Sequence, residues 1–249
     1  MVVIFFTALG VGGATMLGAI IGFLFGNISH KFSDIALGFS AGIMLCASVV
    51  GLIIPSLEYG NIFITILGII LGAITLTVID LFTPHIHNPK GIDVETQLVD
   101  KKRINKVLLF VLAIAIHNLP EGISVGVGLG SGDKAGAISV ALGIALQNIP
   151  ESMVIIAPML AVGISKKRTL LIAFATGFIE VIGTILGYFA ASISTQILPF
   201  ALAFAGGTML YIISDEMIPE THSHGNERAS SYAIIVGFCI MLILDFFIG

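Results

Sequence analysis

Between Ile62 and Ile79 the chain reads IFITILGIILGAITLTVI, eighteen residues without a charge or a proline. That length is close to the roughly 20 apolar residues a helix needs to cross the hydrocarbon of a bilayer. The stretch also excludes a transmembrane barrel, whose strands alternate apolar and polar residues in segments of about ten. Ala233 to Leu244 is another continuous run of the same kind. The whole chain agrees: 57% of its 249 residues are hydrophobic, mean hydropathy is +1.09, and charged residues make up 10%. A soluble domain carries about 25% charged residues. A chain this apolar cannot cover its own core with polar surface, so a water-soluble domain is excluded. The expected fold class is all-α, a polytopic integral membrane protein.

Working outward from this run, breaks at charge, Gly and Pro clusters leave eight apolar stretches. They are Val2 to Phe25, Ile35 to Ile54, Ile62 to Phe82, Lys106 to Gly130, Ala135 to Val162, Leu170 to Ala190, Leu198 to Pro219 and Tyr232 to Ile248. The expected organisation is one eight-helix transmembrane domain over residues 1–249, with 83–105 as a cytoplasmic loop between the third and fourth helices. The first stretch lacks the basic start of a secretory signal and reads as a retained helix. Cys46 and Cys239 sit inside apolar runs and read as packing residues, with no disulfide framework around them.

The net charge of −4 says little, because orientation follows where basic residues lie. The odd-numbered connections carry Lys31; Lys90, Lys101, Lys102, Arg103 and Lys106; Lys166, Lys167 and Arg168; and Arg228. The even-numbered ones carry only Lys134. Positive charge stays on the cytoplasmic side, so both termini are expected outside the cytoplasm. Small residues at four-residue spacing, Ala14, Gly18, Gly22 and Gly26 in the first span and Gly122, Gly126 and Gly130 in the fourth, predict close helix packing. Gly122-Ile-Ser124-Val-Gly126 matches a hydrolase nucleophile-elbow string, but the strand-turn-helix context that string needs is absent from a transmembrane helix.

Charged groups inside spans are costly and mark substrate or ion pathways by default. Here they are Glu121, Glu151, Glu180, Asp215, Glu216 and Asp245. Two of them sit in matching segments, His117-Asn118-Leu119-Pro120-Glu121-Gly122 and Gln147-Asn148-Ile149-Pro150-Glu151-Ser152. In each, the first polar residue and the Glu are four apart and the Asn and the Glu three apart, so all three share one helix face. Pro120 and Pro150 free the carbonyls of Ile116 and Leu146. The midpoint between the motifs falls near Lys134, so a hairpin there sets both at one depth, near the membrane centre. Two carboxylates, an imidazole and three carboxamides meeting there need a compensating cation. Imidazole with carboxylate suits Zn2+, Fe2+, Mn2+ or Co2+, and the lack of thiolates argues against copper(I).

These motifs resemble the paired fourth- and fifth-helix motifs of the ZIP (Zrt/Irt-like) metal transporters, and the short chain is similar to the prokaryotic GufA-type branch. The resemblance implies transport of divalent transition-metal ions into the cytoplasm, Zn2+ foremost, with Fe2+, Mn2+, Co2+ and Cd2+ open. It implies a binuclear site: His117, Glu121, Gln147 and Glu151 at one metal, and Asn118, Asn148 and Glu180 sharing the glutamates at the second. Glu180 also stands alone mid-span with no basic residue in reach along its helix. Some family members carry Asp where Asn148 stands. The resemblance further implies an elevator-like movement of spans one, four, five and six against two, three, seven and eight.

Asp80, His85 and His87 leave the third span together, and Asp215 and Glu216 approach the inner end of the seventh, followed by Glu220; both groups resemble the family's cytoplasmic release path. His222 and His224 fall on the next loop, as a release site or a solvated connection. Asp245 is either an outer-side metal contact or a snorkelling carboxylate. The expected partners are divalent metal ions and the lipid bilayer, with a second copy of the chain left open and no nucleic acid. The expected location is the cell (inner or plasma) membrane. Against transport stand a proton-conducting channel and an intramembrane metalloprotease. The protease needs His-Glu-x-x-His, which does not occur, so no enzyme is expected.

Overall fold

The computed structural model describes residues 2–26, 28–82, 96–193 and 196–249. They form eight long helices: α1 (Val2–Phe25), α2 (His30–Tyr59), α3 (Ile62–Phe82), α4 (Thr96–Ser131), α5 (Lys134–Ala161), α6 (Lys166–Ile193), α7 (Leu198–Thr221) and α8 (Glu227–Ile248). Among the described residues, α1, α2, α3, α5, α6, α7 and α8 are each long and apolar enough to cross a membrane. Their outer faces leave large apolar side chains bare, Phe63 and Phe246 each 81% exposed, which only lipid makes tolerable. The chain is a multi-pass membrane protein.

α1 and α3 begin and end where their apolar runs do. Others outrun them, because hydropathy marks the membrane and not the helix. α2 starts at His30, where Ser29 caps it by accepting from the Phe32 N–H at 3.2 Å. The 83–105 segment, expected to be loop, is helical from Thr96 onward. Gln, Leu, Lys and Arg dominate that start and favour helix without favouring lipid. Gly132, at φ +92°, turns α4 sharply into α5, whose first turn is capped by Asp133. The hairpin expected to level the two motifs is therefore present.

Two helices carry a π-turn, Val49–Ile53 in α2 and Ile213–Met217 in α7. Each is followed by a proline, Pro55 and Pro219, within the next helical turn. A proline ring collides with the carbonyl four residues back and offers no N–H. The wider turn relieves this, with Ile54 N–H reaching Val49 C=O and Ile218 N–H reaching Ile213 C=O.

Packing divides the helices into two bundles. In one, α6 lies along α4 and α1 lies along both α5 and α6; in the other, α2 pairs with α8 and α3 with α7. The pairings exchange when α1 is swapped for α6, α2 for α7, α3 for α8 and α4 for α5, the mark of an internal repeat. Glycines make the seams within bundles. A methyl group on Gly18 would strike the backbone of Ile149, on Gly22 that of Met153, on Gly122 that of Glu180 and on Gly126 that of Thr184. Gly42 meets Ile234, Gly237 meets Phe39 and Gly207 meets Ile69 in the same way. The stripes on the first and fourth spans thus pack as expected, except Gly26. That residue follows the end of α1 at φ +69°, and a methyl group there would meet nothing within 4 Å. Where a glycine faces the other bundle, side chains stand opposite: Val140 before Gly51, Met241 and Ile43 before Gly143.

Candidate metal centre

α4 and α5 lie side by side with their motifs level, and their polar faces turn inward. His117, Asn118 and Glu121 from α4, Gln147, Asn148 and Glu151 from α5, and Glu180 from α6 are all buried. α4 beyond Lys106, α5 beyond Lys134 and α6 beyond Arg168 hold no lysine or arginine to offset the carboxylates.

The hydrogen bonds join the two motifs. Gln147 Nε2 donates to Glu121 Oε1 at 2.7 Å, from α5 to α4. Asn148 Nδ2 donates to Glu180 Oε1, and Thr15 Oγ1 of α1 donates to Glu180 Oε2 at 2.6 Å. Glu151 lies within electrostatic reach of His117 and Glu216, and Glu121 within that of Glu151 and Glu180. His117 Nε2 pairs with Glu216 Oε2 of α7 at 2.9 Å. Ser124 and Ser152 close back on the backbone carbonyls of Glu121 and Asn148, at 2.6 and 2.5 Å. Across the bundle boundary, Ser40 of α2 donates to the Gln147 carbonyl at 2.9 Å.

At this centre, four buried side-chain atoms have no hydrogen-bond partner among the described residues: Asn118 Nδ2, Glu121 Oε2, Gln147 Oε1 and Glu151 Oε2. A buried oxygen without a donor costs about 1–3 kcal/mol, and more when it is charged. Three of these atoms are oxygens, the donor type that a divalent cation takes. The arrangement is nevertheless not a closed coordination shell. Among the described residues no three His, Cys, Asp or Glu side chains meet at one point as a metal site. Carboxamide N–H groups and a hydroxyl hold Glu121 and Glu180 instead. A half turn of the Gln147 or Asn148 carboxamide would exchange its N–H group for oxygen at almost no steric change.

The other expected site residues divide. Glu216 lies against the motif, while Asp215 beside it is exposed. Asp80 is on α3, in the other bundle, and His85 and His87 lie outside the described residues. His222 is bound locally, Nδ1 to the Ile218 carbonyl at 2.8 Å and Nε2 to Ser231 at 3.2 Å. His224 stacks on His30 and pairs through Nδ1 with the buried Asp34 at 3.0 Å. Asp245 of α8 lies 3.5 Å from Ser139 of α5. Thr15 and Ser40 were not among the expected residues; a hydroxyl in an apolar helix carries no spacing signal.

With this geometry in hand, comparison with known proteins gives consistent results. A family profile described as ZIP Zinc transporter matches residues 83–245. The chain is 37% identical over 247 residues to "Zinc transporter GufA" of Myxococcus xanthus, covering 96% of each protein. It is 36% identical to "Zinc transporter ZIPB" of Bordetella bronchiseptica, over 95% of this chain and 78% of that one. With "Zinc transporter ZupT" of Chlorobaculum parvum it shares 32% identity, over 93% of this chain and 92% of the other.

Proposed function

The chain belongs to the ZIP zinc transporter family, as a GufA-type prokaryotic member, and from this premise we propose that it carries Zn2+ and related divalent transition-metal ions into the cytoplasm through a binuclear site in the membrane centre. It is a transporter-family protein and not an enzyme. The observation that carries the reading is the joined pair of motifs: three buried carboxylates from three helices, two of them held by neutral donors, with unpartnered oxygens among them. A proton relay needs no such surplus of oxygen donors.

In this reading an ion arriving from outside sheds water against Glu121 and Glu151. The carboxamides of Gln147 and Asn148 turn so that oxygen replaces N–H. His117 coordinates only as neutral imidazole, through a nitrogen that here pairs with Glu216. One metal is held by His117, Glu121, Gln147 and Glu151, the other by Asn118, Asn148 and Glu180 with the shared glutamates. Release passes Glu216 and Asp215 and then Asp80, His85 and His87 on the cytoplasmic side of the cell membrane. Glu216 belongs to the second bundle, so motion of α1, α4, α5 and α6 past it would part it from His117. Interlocked backbones within each bundle and side-chain contacts between them favour such a sliding, elevator-like movement.

The test is metal uptake by proteoliposomes holding a zinc-sensitive dye. Wild-type protein should load them, and Glu121→Ala together with Glu151→Ala should not. Proton flux of equal size without any metal would instead support the channel reading.

A further inference from the structure

Glu180 is wholly buried, and each of its oxygens accepts a hydrogen bond from a different helix: Oε1 from Asn148 of α5, Oε2 from Thr15 of α1. Thr15 is unusual in this chain. In a helix, a threonine hydroxyl commonly bonds back to a carbonyl one turn earlier. Thr75 does so to Leu71, Thr77 to Ala73, Thr176 to Ala173, Thr184 to Glu180 and Thr208 to Ala205, at 2.7–3.0 Å. Thr15 instead donates across a helix interface to a carboxylate, at 2.6 Å, from a position 2% exposed. A glycine crossing makes this reach available. A methyl group on Gly12 would strike the Gly177 backbone, and one on Gly177 would lie 3.2 Å from Thr15 Cβ. Gly12 and Thr15 are three apart, as are Gly177 and Glu180, so the crossing sets the pair face to face.

We propose that Thr15 is a specificity-determining residue of the metal path: by holding Glu180 Oε2, its hydroxyl leaves one oxygen, Oε1, for an ion and makes Glu180 a one-oxygen ligand. This rests on the transport reading above. Asn148 can surrender Oε1 by turning its carboxamide to present oxygen, whereas Thr15 keeps its hydrogen on Oε2. A four-coordinate ion such as Zn2+ is served by single oxygens at about 2.0–2.2 Å. Larger, harder ions take more oxygens and use carboxylates with both of them. The hydroxyl therefore favours Zn2+ over Mn2+.

The test is initial uptake of Zn2+ and of Mn2+ by proteoliposomes holding wild type, Thr15→Val, which keeps the shape and removes the hydroxyl, and Thr15→Ser, which keeps the hydroxyl. Thr15→Val should raise the Mn2+ to Zn2+ ratio about tenfold, the usual scale for losing a partner of a metal ligand. Thr15→Ser should keep the wild-type ratio. An unchanged ratio in Thr15→Val, with wild-type uptake intact, would overturn the proposal and leave the transport reading standing. Equal shifts in both variants would also overturn it, since they point to packing at the Gly12–Gly177 crossing. If Thr15→Val does not reach the membrane, Thr15→Ala is read by the same ratio, and failure of both beside a normal Thr15→Ser would make the role one of folding and overturn the proposal. Absence of metal uptake by the wild type would strike the transport reading itself.

Discussion

Replacing Gly122 by Ala tests whether the seam between α4 and α6 sets the geometry of the site. Gly122 follows Glu121 directly, and its α-carbon sits on the backbone of Glu180. A methyl group there would lie 3.0 Å from both the Cα and the carbonyl carbon of Glu180, and nearer still to its oxygen. Carbon atoms prefer roughly 3.5–4.0 Å, so α6 has to retreat by roughly 0.5–1 Å. Neither backbone can bend away as a side-chain tip would. Overpacking of this kind costs about 1–3 kcal/mol, which at roughly 2–4 °C per kcal/mol lowers the melting temperature by several degrees. The same retreat draws Glu180 away from Asn148 and Glu121, and constellations of this type tolerate only about 0.5 Å. Gly13→Ala is the control, because nothing lies within 4 Å of a methyl group there. Gly51→Ala is a third arm, since it meets only the Val140 side chain of the other bundle, which can turn aside. Melting of purified protein in detergent and zinc uptake in proteoliposomes should both rank Gly13→Ala with wild type, Gly51→Ala slightly below, and Gly122→Ala far below. Gly122→Ala melting and transporting like Gly13→Ala would refute the idea that backbone contact fixes α6 on α4.

Three further outcomes are expected. Glu121→Ala or Glu151→Ala should each abolish uptake, whereas Asn148→Ala, which removes a neutral group, should only weaken it; zinc flux across proteoliposomes measures all three. Cysteines placed at Gly60 and Gly132 should react in intact cells with an impermeant thiol reagent, and one at Ser165 should not; the reverse pattern would invert the topology that the basic residues imply. Glu216→Gln, which keeps an acceptor for His117 and removes the charge, should slow zinc uptake about tenfold while leaving the amount of zinc bound in detergent unchanged.

The fold was legible in the sequence because a bilayer makes hydropathy decisive: spans, hairpin and glycine stripes all follow from where charge is missing and small residues recur. The centre was legible for a different reason. Its residues come as two copies of one motif, and a repeated Pro-Glu pair inside a membrane has few structural excuses. Thr15 could not be read in that way. Thr75, Thr77 and Thr15 look alike as letters in apolar helices, yet only Thr15 is steered by a glycine crossing onto a carboxylate. Hydrogen-bond choice by a hydroxyl is settled by what the opposite helix presents, and that is tertiary information.

Asp215 and Glu216 show the same limit more sharply. As neighbours near the end of one span they are equivalent in sequence, and both were expected on the release path. Their side chains diverge as those of neighbours in any helix do, and the π-turn sets which of the two turns inward. An α-helix advances about 100° per residue, and a π-turn inserts one extra residue into a turn, so every side chain beyond it is re-aimed by about that angle. Ile213–Met217 is that turn, and within it Glu216 reaches His117 while Asp215 stays exposed. Its cause is visible in the sequence as Pro219, but Pro120 and Pro150 sit in α4 and α5 without any π-turn. Whether a proline bends a helix or widens it depends on whether neighbouring helices leave room for the bulge. In α2 and α7 the bulge lies at equivalent places of the internal repeat. The second bundle therefore presents Glu216 through backbone geometry that packing selects, at the level where His117 of the first bundle meets it.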